Sequence, residues 1–236
     1  MSLKTTVFEE KEIMKKTKDP KHLRVLFIGN SATYVNDIPG TLVALAQKAG
    51  YSMEADSIVK GGATLSYHAD PSTEHGARVY EVIKQGYDLV FLQDNGNCIS
   101  TEEAARASLA ACDALGEAIR ASGARVGIYF RPPYGYEKWG FSPLEQCERI
   151  DEHFLKAASK LSSLNVFVNR AFARAIKETD IRLWAEDNGH TSIHGAYLAV
   201  CVFFAAIFNT PATVLDHNGV GKETASALQA IASTVI

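Results

Sequence analysis

The chain has 236 residues, 47% of them hydrophobic and 22% charged, with a formal net charge of −3. That balance suits a folded chain large enough to bury a core, and it lacks the basic footprint that nucleic acid or an anionic membrane surface would need. No apolar run reaches the roughly 18 residues of a membrane span; "AYLAVCVFFAAIF" stops at Asn209 and reads as a buried helix.

At the N-terminus, "MSLKTTVFEEKEIMKKTKDPKHLR" is charged and has no apolar secretory core. Residues 1–22 read as a charged segment, helical over 4–19 and ending before Pro20, in front of one domain over 23–236. From there, strand-like runs alternate with helical patterns. "LRVLFIG" (23–29) precedes a helix over 39–49 closed by Gly50. "SMEADSIV" (52–59) leads to Gly61-Gly62 and a helix around 75–85, closed by Gly86. "DLVFLQ" (88–93) precedes a helix with a capping box from Ser100 and Glu103, ended by Gly123. "ARVGIYF" (124–130) runs into Arg131-Pro132-Pro133, and the next helix takes Ser142 as its cap and Pro143 at its first position. "NVFVN" (165–169), a short helix, the loop "EDNGHTSIHG" and two helices complete the chain. Cys98, Cys112, Cys147 and Cys201 are scattered without a CxxC pair, so a reduced, cytoplasmic setting is expected.

Five short β-branched runs between helices predict an α/β fold with a parallel sheet covered on both faces. In such sheets ligands sit beyond the carboxyl ends of the strands. Attention therefore falls on the strand exits: Gly29-Asn30-Ser31, Gly61-Gly62, Gln93-Asp94-Asn95 and Arg131.

Acyl transfer needs a nucleophile, a base, a group orienting the base, and donors for the developing oxyanion. Ser31 offers a hydroxyl at the first exit, though a turn or helix cap would equally want a serine there. The double glycine lets backbone approach a ligand, or simply makes a tight turn. The Asn95 amide is a further donor, or a routine turn residue beside Gly96. Of the seven histidines, His22, His75, His153 and His217 read as surface residues, and His68 is kept as a candidate substrate contact near the rim. Asp187 and His190, three apart on a glycine-containing loop, can deliver a carboxylate and an imidazole together. His190 and His194 could instead face a metal, but the H-E-x-x-H glutamate is missing.

These residues resemble the SGNH hydrolases, the GDSL-type esterase and lipase superfamily, and most closely its bacterial branch whose first block reads GNS. The likeness spans Leu23 to about Phe208 in four blocks: "FIGNSATY", "VKGGATL", "VFLQDNGN" and "DNGHTSIHG". It differs from the commoner pattern at Asn30, where many members carry Asp, at Gln93-Asp94-Asn95, and at Thr191, where proline is frequent.

The resemblance implies a three-layer αβα sandwich with a five-stranded parallel sheet and neither metal nor organic cofactor. It implies Ser31 as nucleophile, His190 as base and Asp187 as its partner. The Ser31 and Gly62 N–H groups and the Asn95 amide would form the oxyanion hole, with Gln93 able to share or take over the Asn95 role.

Tyr34, Asn36, Arg131, Tyr134, Tyr136 and Trp139 follow strand exits and could line a pocket for an acylated sugar; Arg131 could equally pair with a surface carboxylate. The expected activity is a serine esterase acting on small acetyl-type esters. Two alternatives are a flavodoxin-like protein holding phosphate or FMN at "GNSAT", which leaves Asp187 and His190 without a role, and a non-catalytic carbohydrate-binding relative.

Overall fold

Leu26 and Ile28 of the first apolar run turn to one side and Val25 and Phe27 to the other, yet all four are buried. A strand without alternation of apolar and polar residues has both faces covered. The computed structural model describes residues 22–235, and the helix expected over 4–19 lies outside the described residues.

Five strands, β1 (Leu23–Gly29), β2 (Met53–Val59), β3 (Leu89–Leu92), β4 (Arg125–Tyr129) and β5 (Leu164–Val166), form one sheet in the order β2-β1-β3-β4-β5. Every pairing is parallel. The edge strand β2 carries Glu54, Asp56 and Ser57 and is only partly buried, as an edge that must not recruit another strand would be.

Around the sheet run α1 (Ser31–Tyr34), α2 (Ile38–Lys48), α3 (Leu65–Ala69), α4 (Glu74–Ile83), α5 (Glu102–Ala121), α6 (Pro143–Leu161), α7 (Val168–Glu178), α8 (Ile193–Phe208) and α9 (Lys222–Ala232). Val25, Phe27, Leu89, Phe91 and Tyr129 pack one core against α2, α7, α8 and α9. Leu26, Ile28, Val90, Leu92, Val126 and Ile128 pack the other against α4, α5 and α6. The three-layer αβα arrangement follows directly from this split. Its tightest knot is aromatic: Phe203 of α8 sets its ring edge against Phe27, Phe91 and Tyr129 at centroid separations of 5.4, 5.0 and 4.8 Å. No helix among the described residues is long and apolar enough to cross a membrane.

Two local expectations change. The cap of α5 is Thr101, whose Oγ1 accepts from the Ala104 N–H; Ser100 instead donates to the Asn97 carbonyl and closes the 3₁₀ turn Gly96–Ile99. The run "NVFVN" is strand only to Val166, and Val168 and Asn169 already belong to α7. Asn169 turns inward there, donating to the Cys147 carbonyl and to Asp151. The capping box on α6 forms as expected, with Glu145 returning the bond to Ser142, a feature worth about 1 kcal/mol.

Candidate active site

From β1 the chain steps outward to β2 and then returns past β1 to β3. Connections on the two sides of that point diverge, leaving a crevice beyond the carboxyl ends of β1 and β3. Ser31 follows β1, and Asn95 follows β3 by three residues.

The turn that presents Ser31 is built by its neighbours. Asn30 is the cap of α1, its Oδ1 accepting from the Ala32 N–H, so Ser31 is not needed as a cap and stands at the first helical position. Asn30 is itself buried; its Nδ2 donates to the Ala63 carbonyl, tying the turn to the double-glycine loop. Below it, Gln93 Oε1 accepts from the Asn30 N–H at 2.8 Å and from the Thr33 hydroxyl at 2.9 Å. Glycine is required before Asn30, because a Cβ at Gly29 would sit 2.5 Å from Gln93 Oε1.

The loop before α8 brings in the imidazole. His190 Nε2 lies 2.9 Å from Ser31 Oγ, and His190 Nδ1 lies 2.6 Å from Asp187 Oδ2. Asp187 Oδ1 also accepts the N–H groups of Gly189 and His190. The backbone donation from His190, then its ring, then the Gly189 N–H hold the Asp187 carboxyl down at about 2. An ionised carboxylate can only accept, so Nδ1 carries the proton and Nε2 is left to accept from Ser31 Oγ. The loop is pinned from three sides: Gly135 N–H donates to the Asn188 carbonyl, Asn36 Nδ2 to the Thr191 carbonyl, and Ala185 N–H to the His190 carbonyl.

Ser31, Gly62, Asn95, Gly96, Arg131, Tyr134 and His190 line one cavity of about 170 Å³. Gly62 has φ of +72°, in the left-handed region that glycine enters without strain, and its carbonyl accepts from Asn95 Nδ2 at 2.9 Å. Asn95 is steadied from below by Asp94, whose Oδ1 accepts the N–H groups of Asn95 and Leu65. Burial pushes the Asp94 carboxyl up, against the pull of those bonds, a Ser108 hydroxyl and the Arg131 charge.

No family model matches the chain, and no curated protein matches it. Among solved structures, the fold matches a protein from Slackia heliotrinireducens described as a candidate SGNH hydrolase, with 28% identity over 79% of this chain and 99% of that one, at a TM-score of 0.66. The chain belongs to the SGNH hydrolase superfamily. A DUF4886 family protein from Bacteroides uniformis has the same fold at 18% identity, 90% and 94% coverage and a TM-score of 0.77. Axe2, an acetylxylan esterase from Geobacillus stearothermophilus, has it at 17% identity, 79% and 93% coverage and 0.57.

Within this SGNH hydrolase fold, several expected contacts lie elsewhere. Gln93 is buried beneath the Ser31 turn, its Nε2 directed at the Asp94 carbonyl, so it braces the turn and does not face the cavity. His68 is fully buried, Nε2 on the Gly29 carbonyl and Nδ1 on His75 Nε2, and it is no substrate contact. His75 is half-buried and His153 is buried against Ser108, so neither is the surface residue its polar helical setting suggested. Tyr34 stands exposed beside Gly61, outside the cavity lining. Arg131 is buried and lines the cavity, so it is not paired with a surface carboxylate. Asn30 and Asp94 act as supports of the site, a role for which the sequence offers only the signal that polar residues stand at strand exits where an apolar run has just ended.

Proposed function

We propose that this SGNH hydrolase is a serine esterase that removes small acetyl-type acyl groups from a carbohydrate. The observation carrying the reading is the unbroken line from Ser31 Oγ through both nitrogens of His190 to Asp187. Ser31 Oγ attacks the ester carbonyl carbon while His190 Nε2 takes its proton. The bond to the alcohol oxygen then breaks as His190 returns that proton to it, leaving an acyl-Ser31. His190 next draws a proton from water, whose oxygen attacks the acyl carbon. The bond to Ser31 Oγ then breaks as His190 returns the proton to that oxygen, releasing the acid and restoring Ser31. Asp187 stays ionised throughout and offsets the charge on the imidazolium.

The Ser31 and Gly62 N–H groups and the Asn95 amide receive the oxyanion; losing one such donor typically costs about 3 kcal/mol of transition-state stabilisation. The small cavity favours a short acyl group. Tyr136 and Trp139 pack against Tyr134 of the cavity lining and add aromatic surface of the kind that takes the apolar face of a sugar ring. Acetyl esters of a sugar polymer are also the substrate class in Axe2's description. Ser31→Ala should reduce hydrolysis of p-nitrophenyl acetate to the buffer rate with the melting temperature retained. Activity surviving that change would remove Ser31 from the mechanism.

A further inference from the structure

Arg131 has no role in the reaction above, and its surroundings are unusual for an arginine. It is 4% exposed, and its Nε is a buried donor without an acceptor among the described residues. The guanidinium lies over the Tyr134 ring, 4.4 Å from the centroid. Lys138 Nζ sits 3.7 Å from the centroid of the same ring, so two cations share one aromatic. Asp94 feels the Arg131 charge, but its Oδ1 is engaged by the Leu65 and Asn95 N–H groups. A cation held out of water without a contacting anion is costly, and such groups are ordinarily paired.

The guanidinium is also fixed in place. A Cβ at Gly96 would fall 2.0 Å from Arg131 Nη1 and 2.7 Å from the Tyr134 ring, so glycine there is what lets the three groups close together. Tyr134 is held in turn by Gln146, which accepts its N–H and donates to the carbonyls of Tyr136 and Phe141. A donor fork locked by packing loses little freedom on binding. This one faces the same cavity as Ser31, Gly62, Asn95 and His190.

We infer that Arg131 is a specificity residue for an anionic ester, one whose substrate carries a carboxylate close to the reacting carbonyl and sets it on the Arg131 guanidinium. This rests on the reading of the site as a serine esterase; a carboxylate on the alcohol keeps the acetyl group of that reading, and one on the acyl side replaces it. The carboxylate could belong to the acyl group, as in a half-ester of a dicarboxylic acid, or to the alcohol, as in an acylated acidic sugar. Lys138 adds a second positive charge near the mouth, which favours approach of an anion at low salt.

Two matched pairs test this in the wild type: p-nitrophenyl hemisuccinate against p-nitrophenyl levulinate for charge on the acyl side, and para-acetoxybenzoate against its methyl ester for charge on the alcohol side. In one pair the charged member should have a kcat/KM higher by roughly 10- to 100-fold, the range of a charge-assisted hydrogen bond. Arg131→Gln should collapse that ratio through KM, and Arg131→Lys should restore part of it. Neutral members turned over as well as charged ones in both pairs would overturn the inference, as would an unchanged ratio in folded Arg131→Gln protein. Calorimetry with free succinate and para-hydroxybenzoate separates this claim from the esterase reading. Binding of either anion that is weakened about tenfold in Arg131→Gln sustains the anion site even if no ester is hydrolysed. Hydrolysis of neutral esters with no binding of either anion refutes the anion site and leaves the esterase reading standing.

Discussion

Asp187 keeps its negative charge to about pH 2 because three N–H donors of its own loop converge on it. Its folded value lies below the ordinary 3.8, so the contacts it makes are complete above that pH and are lost only as pH falls through about 2. A decline in kcat/KM at higher pH must therefore come from another group. Asp187→Asn should lower kcat by roughly 10³- to 10⁴-fold with a small change in KM, since the loss is of imidazole tautomer and orientation and not of substrate contact. Steady-state kinetics on p-nitrophenyl acetate reads both, and a drop under about tenfold would mean that Asp187 does not orient His190. The Asp187–His190 pair was legible in the sequence because both ends sit on one short loop. The Asn30 cap was not, since Asn30 and Ser31 are both good caps and only the backbone geometry picks between them.

The helix α8 joins the core to the site, with its N-terminal end following the His190 loop and Phe203 seated among Phe27, Phe91 and Tyr129. Phe203→Ala should cost about 3–5 kcal/mol in chemical denaturation, the transfer term plus the cavity left among three rings. A cost below about 1 kcal/mol would show that the sheet does not depend on this contact. All five strands were readable, the central β1, β3 and β4 most plainly, because apolar runs covered on both faces leave no ambiguity of face. Their ends were less so: "NVFVN" has strand composition throughout, yet the helix α7 begins at Val168 and Asn169 donates inward from it to Cys147 and Asp151. Sequence likewise places His153 on a polar helix and His68 near the rim after the double glycine, and only the packing of their helices onto the sheet shows that both side chains face inward.

Those two histidines give the whole molecule a pH dependence. Burial drives both His68 and His153 down to about 4, so each is neutral in the fold at pH 7. Unfolded, they take up protons near the ordinary 6.5. Between those values the unfolded chain binds more protons, so stability is full above about pH 6.5 and is lost as pH falls towards 4. Melting temperature should decline across that window, and His153→Gln, which can keep a bond to Ser108 without titrating, should flatten the decline; an identical slope in the variant would contradict this origin. The same sheet that buries these groups on its flanks gathers Ser31, Gly62, Asn95, Arg131 and His190 at one rim. Labelling with a fluorophosphonate, followed by peptide mapping, tests that gathering most directly. One residue, Ser31, should be modified, with labelling abolished in Ser31→Ala and slowed by orders of magnitude in His190→Ala; an unlabelled wild type, or a label on another serine, would contradict this arrangement.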